Sequence, residues 1–292
     1  HISYKPDQHF SVVNINSDGF RGPEISLKNN DEVFRIFFLG GSTAFGASAL
    51  SDEKTIPGYI QQFFDNEKNY DGIEVINAGV PGGYSFIEAE MVKKKILDFE
   101  PDLLVIYDGY NDNHRNFNNY YLDTQTEKTA YDLMHLILQN DFYKTPQFFF
   151  HQYFHWTFET TEIISFDDAY GFEKANRWMM TWDEVCQNGN QHGYEVMVML
   201  QPFLGTGERE LTDEELAMFK KYEGKNILNN YEYFADALGK LSDSCTKIVD
   251  LRNSLDNESE TMYYDIVHTG DKGNKIIAIE VFEEIKKLLK RD

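Results

Sequence analysis

The stretch FFLGGSTAFG, residues 37–46, joins a run of apolar residues to two glycines, a serine and a threonine. Residues 34–39 are apolar almost throughout, which is typical of a strand buried on both faces of a parallel sheet. Where this strand ends, the chain offers almost no side chain for packing. Two interpretations are open at this point: Ser42 caps a helix after a glycine turn, or the turn presents Ser42 to a ligand.

Short β-type runs alternate with amphipathic helical patterns along the chain, which predicts helices covering a parallel sheet. The 292 residues, 41% hydrophobic and 26% charged, have the composition of a globular protein. We expect one three-layer α/β/α domain over 1–292, with a five-stranded sheet in the flavodoxin-like order 2-1-3-4-5 and an N-terminal lead-in at 1–32. The predicted strands are Phe34–Leu39, Ile73–Asn77, Asp102–Tyr107, Tyr194–Leu200 and Lys247–Leu251. The predicted helices span 57–69, 86–99, 172–188, 211–222, 228–243 and 271–290, the last capped by Thr269 and Asp271.

Segment 113–170 departs from this alternation because it is unusually rich in aromatic residues, including the run FFF at 148–150. We interpret it as a helical insertion rather than a second domain. Its rings either form a small core of their own or make a lid or aromatic wall beside a site, since functional insertions usually hang from the loops of a rigid scaffold.

Polar and glycine-rich motifs follow four of the predicted strands. GGST contains Ser42, NAGVPGGYS contains Gly82, DGYNDN contains Asn111, and DIVHTG contains Asp265 and His268. Ligands of an open parallel sheet bind beyond the carboxyl ends of its strands. We therefore expect these groups to meet at one edge of the sheet.

These groups suit acyl transfer. His268 can take the proton of the Ser42 hydroxyl, and Asp265 can orient the imidazole. The amides of Ser42 and Gly82 and the side chain of Asn111 can donate to an oxyanion. No metal or organic cofactor is needed for this chemistry. The chain has no dinucleotide or phosphate-loop fingerprint and no G-x-S-x-G elbow.

The four motifs, in this order and over nearly the whole chain, resemble those of the SGNH (GDSL-type) hydrolase superfamily. The lead-in NSDGFRGPE, 16–24, also resembles that of some bacterial and archaeal members. The resemblance implies an SGNH-type fold, with Ser42 as nucleophile, Gly82 and Asn111 completing the oxyanion hole, and Asp265 and His268 as the D-x-x-H pair. One departure is that the first motif reads Gly-Gly-Ser instead of Gly-Asp-Ser.

Three further residues are weaker candidates for substrate binding. Gly83 and Tyr110 lie within the motifs, and Arg21 in the lead-in either binds a substrate anion or forms a structural ion pair, the second being favoured.

The net charge and the cysteine content limit which partners and which cellular compartment are expected. A net charge of −22 argues against nucleic acid or an anionic membrane surface as a partner, and no apolar run approaches the roughly 18 residues of a membrane span. Cys186 and Cys245 precede the fourth and fifth predicted strands, which are neighbours in the predicted order. The two cysteines can therefore approach within disulfide range, and they form either a disulfide or two free thiols. We expect an extracytoplasmic or secreted protein from which an N-terminal signal or anchor has been removed.

The function that these residues predict is hydrolysis of a carboxylic ester through an acyl-enzyme. O-acetylated glycans and small acyl or lipid esters are both suitable substrates. Two alternatives stay open: an O-acyltransferase that passes the acyl group to a sugar hydroxyl, and a non-catalytic glycan-binding or assembly protein on the same fold. The sequence leaves the oligomeric state undetermined.

Overall fold

A computed structural model describes residues 4–28, 33–114 and 168–290. The predicted insertion at 113–170 lies almost entirely outside the described residues, so its helical nature and its role as a lid stay predictions.

The centre of the protein is a parallel sheet of five strands. The lead-in forms a small antiparallel pair, β1 (Gln8–His9) and β2 (Asn14–Ile15). The main sheet comprises β3 (Phe34–Gly40), β4 (Ile73–Asn77), β5 (Leu103–Asp108), β6 (Glu195–Leu200) and β7 (Lys247–Asp250). Their order, β4-β3-β5-β6-β7, confirms the predicted order 2-1-3-4-5, and every pair is parallel. All residues of the central strand β5 are buried, and all of them except Asp108 at its end belong to an apolar run.

Helices cover both faces of this sheet. They are α1 (Ser42–Phe45), α2 (Ile56–Asp65), α3 (Ser85–Lys94), α4 (Tyr110–His114), α5 (Asp168–His192), α6 (Asp213–Lys221), α7 (Gly224–Lys240) and α8 (Asp271–Leu289). Helices α2 and α8 pack against each other in one layer, and α5 packs against α3 and α7 in the other. The α/β/α layering predicted from the alternating pattern is thereby confirmed.

Three details of the predicted helices are wrong. The helix predicted at 57–69 ends at Asp65. The helix predicted at 86–99 ends at Lys94, because Lys95 leaves helical geometry before a 3₁₀ turn at Ile96–Phe99. The predicted caps of α8 do not cap it: its N-cap is Gly270, without a side-chain hydrogen bond. Asp271 instead accepts a hydrogen bond from Lys54, 2.7 Å away.

The two cysteines form a disulfide between α5 and the segment that precedes β7. The Cα atoms of Cys186 and Cys245 lie 4.8 Å apart. Both residues precede strands that are neighbours in the sheet, which is why the bridge can close. Among the helices that the structure describes, none is long and apolar enough to cross a membrane.

Candidate active site

Ser42, His268 and Asp265 form a chain of two hydrogen bonds. Ser42 Oγ lies 2.6 Å from His268 Nε2, and His268 Nδ1 lies 2.7 Å from Asp265 Oδ2. In the tautomer that base catalysis requires, Nδ1–H donates to the carboxylate and Nε2 accepts from the serine hydroxyl. The structure thus brings together, over 226 positions of sequence, the three residues that the motifs single out.

The second carboxylate oxygen of Asp265 fixes its own loop. The backbone amides of His268 and Val267 donate to Oδ1 at 2.7 and 2.9 Å. Burial raises the pKa of Asp265, but the charge of the His268 ring and the hydrogen bonds from His268 and Val267 outweigh it and hold the pKa well below its usual range. Asp265 is therefore ionised throughout the neutral range and can stabilise an imidazolium beside it.

The loop that carries His268 is bonded to the segment that follows Ser42. Ser48 Oγ donates to the carbonyl of Thr269 at 2.7 Å. Lys54 Nζ forms an ion pair with Asp271, and the side-chain amide of Asn274 donates to the Lys54 carbonyl at 3.1 Å. These contacts, together with the sheet, hold the His268 ring at a fixed distance from Ser42.

The two glycines before Ser42 allow close approaches that a side chain would block. Gly40, at the end of β3, has φ = 149°, and a Cβ there would overlap the carbonyl of Tyr107. A Cβ on Gly41 would overlap the side-chain amide of Asn111. The glycine turn therefore lets Ser42 lie directly beside the third motif, which favours the interpretation that the turn presents Ser42 to a ligand.

The proposed oxyanion donors lie on three neighbouring elements. Ser42 is the first residue of α1, so its N–H has no acceptor within the helix. Gly82 lies between β4 and α3. The Asn111 side chain donates one of its two N–H groups to the carbonyl of Gly83 at 2.5 Å, which leaves the second available. That bond also assigns Gly83 a role in orienting the amide.

Asp112 ties the third motif to the second. Its carboxylate accepts from the Ser85 amide at 3.0 Å and from the Ser85 hydroxyl at 2.5 Å. Since Ser85 begins α3 and Asp112 is the neighbour of Asn111, these bonds fix the spacing between the Gly82 loop and the Asn111 side chain.

A group of buried carboxyl side chains lies behind these loops. Glu88 on α3 and Asp108 at the end of β5 are fully buried, and neither side-chain oxygen of Glu88 has a hydrogen-bond partner among the described residues. Burial, then the charges of Asp108 and Asp112, raise the pKa of Glu88 well above its usual value. Burial and Asp112 do the same to Asp108, which accepts a 3.1 Å bond from Trp178. Burial lowers the pKa of the neighbouring Lys174 to about 8.

Two of the weaker substrate-binding candidates have other contacts. Tyr110 is buried and stacks on His114 with ring centroids 5.4 Å apart, so it serves packing. Arg21 is buried and forms an ion pair with Asp52 at 2.7 Å, which is the alternative that the sequence favoured.

Sequence reasoning missed Gln201, which directly follows β6. It is buried, and its side-chain carbonyl accepts from the hydroxyl of Thr43, next to Ser42, at 3.4 Å. Its position after a strand is the signal that could have found it. Among the described residues, no group of three or more His, Cys, Asp or Glu side chains is arranged to hold a metal ion.

Comparisons with known proteins place this geometry in a known fold. No protein-family model matches the chain, and no curated protein matches its sequence. Solved structures do match. An acetyl xylan esterase, AlAXEase, aligns with a TM-score of 0.52 at 15% identity, over 86% of this chain and all of its own. The psychrotrophic esterase EstA from Pseudoalteromonas sp. aligns with a TM-score of 0.51 at 15% identity, over 88% of this chain and 99% of its own. TesA aligns with a TM-score of 0.51 at 14% identity, over 87% of this chain and 99% of its own.

The chain has the SGNH-hydrolase fold. In this chain, three of the four motifs quoted above follow the carboxyl ends of β3, β4 and β5, and the fourth lies on the loop that enters α8.

Proposed function

We propose that the protein is a carboxylic ester hydrolase of the SGNH superfamily that acts through an acyl-enzyme on Ser42. The observation that carries the proposal is the hydrogen-bonded chain from Ser42 Oγ through His268 to the Asp265 carboxylate. A serine hydroxyl becomes a competent nucleophile only beside such a base.

The reaction follows from the positions of these groups. Ser42 Oγ attacks the carbonyl carbon of the ester while its proton passes to His268 Nε2. The oxyanion of the tetrahedral intermediate accepts from the amides of Ser42 and Gly82 and from the Asn111 side chain. His268 then protonates the departing alcohol. In the second half, His268 takes a proton from water, whose oxygen attacks the acyl group, and Ser42 regains its proton as the acid leaves.

For the substrate, we propose short acyl esters, including O-acetyl groups on glycans. A structure with the same fold is that of an acetyl xylan esterase, which supports the choice. We also propose an extracytoplasmic or secreted location, because a disulfide persists in an oxidising compartment.

The experiment compares wild type, Ser42→Ala and a remote control, Ser244→Ala, which lies before β7 at the opposite end of the strands. Each is assayed on p-nitrophenyl acetate, butyrate and octanoate and on acetylated xylan. Each is also treated with a p-nitrophenyl phosphonate ester, and the labelled serine is located by mass spectrometry. We expect turnover and labelling to vanish in Ser42→Ala only, with a loss of several orders of magnitude, and acetate to be preferred to octanoate.

Other outcomes would redirect the proposal. Turnover that appears only when a sugar acceptor is present would favour the O-acyltransferase. A folded wild type that turns over no ester and binds no phosphonate would refute both enzymes and favour the non-catalytic alternative.

A further inference from the structure

Arg21 contacts the far end of the short helix that begins at Ser42. It is 4% exposed, and its Nη1 donates to the carbonyls of Phe45 at 3.0 Å and of Gly46 at 2.8 Å. Its Nε donates to Asp52 at 2.7 Å. Both Nη1 hydrogens are thus committed to the carboxyl end of α1.

The nucleophile helix needs such support because it is only one turn long. A four-residue helix cannot hold itself by its own hydrogen bonds, and its last carbonyls find no donor inside the helix. Asn77 supplies a second donor to the Phe45 carbonyl, at 3.2 Å. A cation at this end also interacts favourably with the helix dipole. Holding the carboxyl end of α1 in place therefore holds Ser42 at its amino end.

Arg21 also joins this helix to the lead-in. Its Nη2 donates to the carbonyl of Val12 at 2.7 Å, and the backbone amide of Asn14 donates to the same Asp52 carboxylate at 3.1 Å. The guanidinium therefore bonds three separate segments at once, which its planar fork of donors allows and the single ammonium of a lysine does not.

We propose that Arg21 is a positioning residue for Ser42, acting through the carboxyl end of α1. The inference rests on the proposed esterase function and adds a residue outside the four motifs to it. Because the guanidinium is buried and its contacts are to protein groups, its loss is expected to lower kcat and leave KM nearly unchanged.

The chain offers a matched control in Arg35. This arginine is also buried, forms an ion pair with Glu74 at 2.7 Å and donates to the carbonyl of Phe99 at 2.7 Å. It is the second residue of β3, so it lies at the opposite end of that strand from Ser42. Loss of either arginine should destabilise the fold, but only the loss of Arg21 should affect the nucleophile.

The test measures kcat and KM on p-nitrophenyl acetate and the rate of phosphonate labelling of Ser42, each normalised to folded protein by circular dichroism. A misplacement of about 1 Å can cost on the order of 100-fold in rate, so we expect kcat and labelling in Arg21→Met to fall about 10- to 100-fold. Arg21→Lys should show an intermediate loss, and Arg35→Met should stay within about twofold of wild type.

The outcomes separate this inference from the proposed function. An inactive wild type would refute the esterase. An active wild type with unchanged kcat in folded Arg21→Met, or with the same loss in Arg35→Met, would overturn the positioning role alone. If Arg21→Met does not fold, Arg21→Lys and Asp52→Asn decide the question, and unchanged kcat in both would overturn it.

Discussion

Glu88 should make the protein less stable as the pH rises, and Glu88→Gln should remove that dependence. The side chain is fully buried without a hydrogen-bond partner among the described residues, and burial together with Asp108 and Asp112 raises its pKa. Over a range of pH the folded protein thus keeps Glu88 protonated while the unfolded chain releases the proton. The unfolded state binds fewer protons there, so the free energy of unfolding falls as pH rises.

The magnitude of the effect follows from the change in the free energy of unfolding per pH unit. Below the unfolded pKa, about 4.3 for a glutamate, both states are protonated and Glu88 adds no pH dependence. Above it, the stability difference between Glu88→Gln and wild type should rise by about 1.4 kcal/mol per pH unit until the pH reaches the folded pKa. Using the difference between the two proteins cancels the titrations of groups that do not interact with Glu88. The side-chain amide that replaces the Glu88 carboxyl group in the variant would also lack hydrogen-bond partners. The difference in unfolding free energy can therefore be shifted by a constant amount at every pH, while its slope with pH is retained.

Glu215 provides a control of opposite sign. It is equally buried, but its carboxylate accepts from Arg209 at 2.6 Å and from the Met262 amide at 2.9 Å. Burial raises its pKa, and these bonds outweigh that effect and lower it. Its contribution is therefore present above a pH of about 4.3 and is lost as pH falls through the folded pKa. Glu215→Gln should be destabilised at neutral pH, by an amount that shrinks in acid.

Urea unfolding from pH 2 to 8, extrapolated to water, measures both differences, that of Glu215 below a pH of about 4.3 and that of Glu88 above it. We expect the curve for Glu88→Gln minus wild type to rise with pH and that for Glu215→Gln minus wild type to fall. A flat curve for Glu88→Gln, or two curves of the same sign, would show that Glu88 does not carry a buried proton in the folded protein.

Three further predictions concern the candidate site and the disulfide. Asp265→Asn should lower kcat on p-nitrophenyl acetate by roughly 10⁴-fold, because the imidazole loses its tautomer and its counter-charge; a loss below tenfold would contradict the role. Asn111→Ala should lower kcat by about 10²–10³-fold with little change in KM, since its amide acts on the oxyanion; a change confined to KM would contradict it. Replacing Cys186 and Cys245 by serine should cost about 4 kcal/mol in urea unfolding for a sequence separation of 59; a difference below about 1 kcal/mol would show that the bridge contributes little to stability.

The sheet and the positions of the candidate site residues were predictable because each depends on a short, local pattern. The runs at 34–39 and 102–107 are apolar on both faces, so they had to be central strands. The polar groups that follow them then meet at one edge by topology alone. Ser42 and Asn111 were found in this way without any knowledge of side-chain geometry.

The contacts that depend on distant partners were not predictable. The sequence predicts Asp271 as a helix cap, but its carboxylate accepts a hydrogen bond from Lys54, 217 positions away. Glu88 falls on an ordinary helical pattern, and its burial follows from the tertiary packing of α3 between the sheet and α5. Arg21 carries a charge that favours an exposed position, and only the fold surrounds it with carbonyls that offset its desolvation.

The segment 47–54 connects residues outside the four motifs to the candidate site. Through Asp52 it bonds Arg21, which holds the carboxyl end of the Ser42 helix. Through Lys54 it bonds Asp271, at the start of the helix that follows the imidazole. Ser42 and His268 therefore have one common support, and a displacement of this segment moves both. Because the serine–imidazole hydrogen bond is only 2.6 Å long, a common support preserves that distance better than two independent loops would.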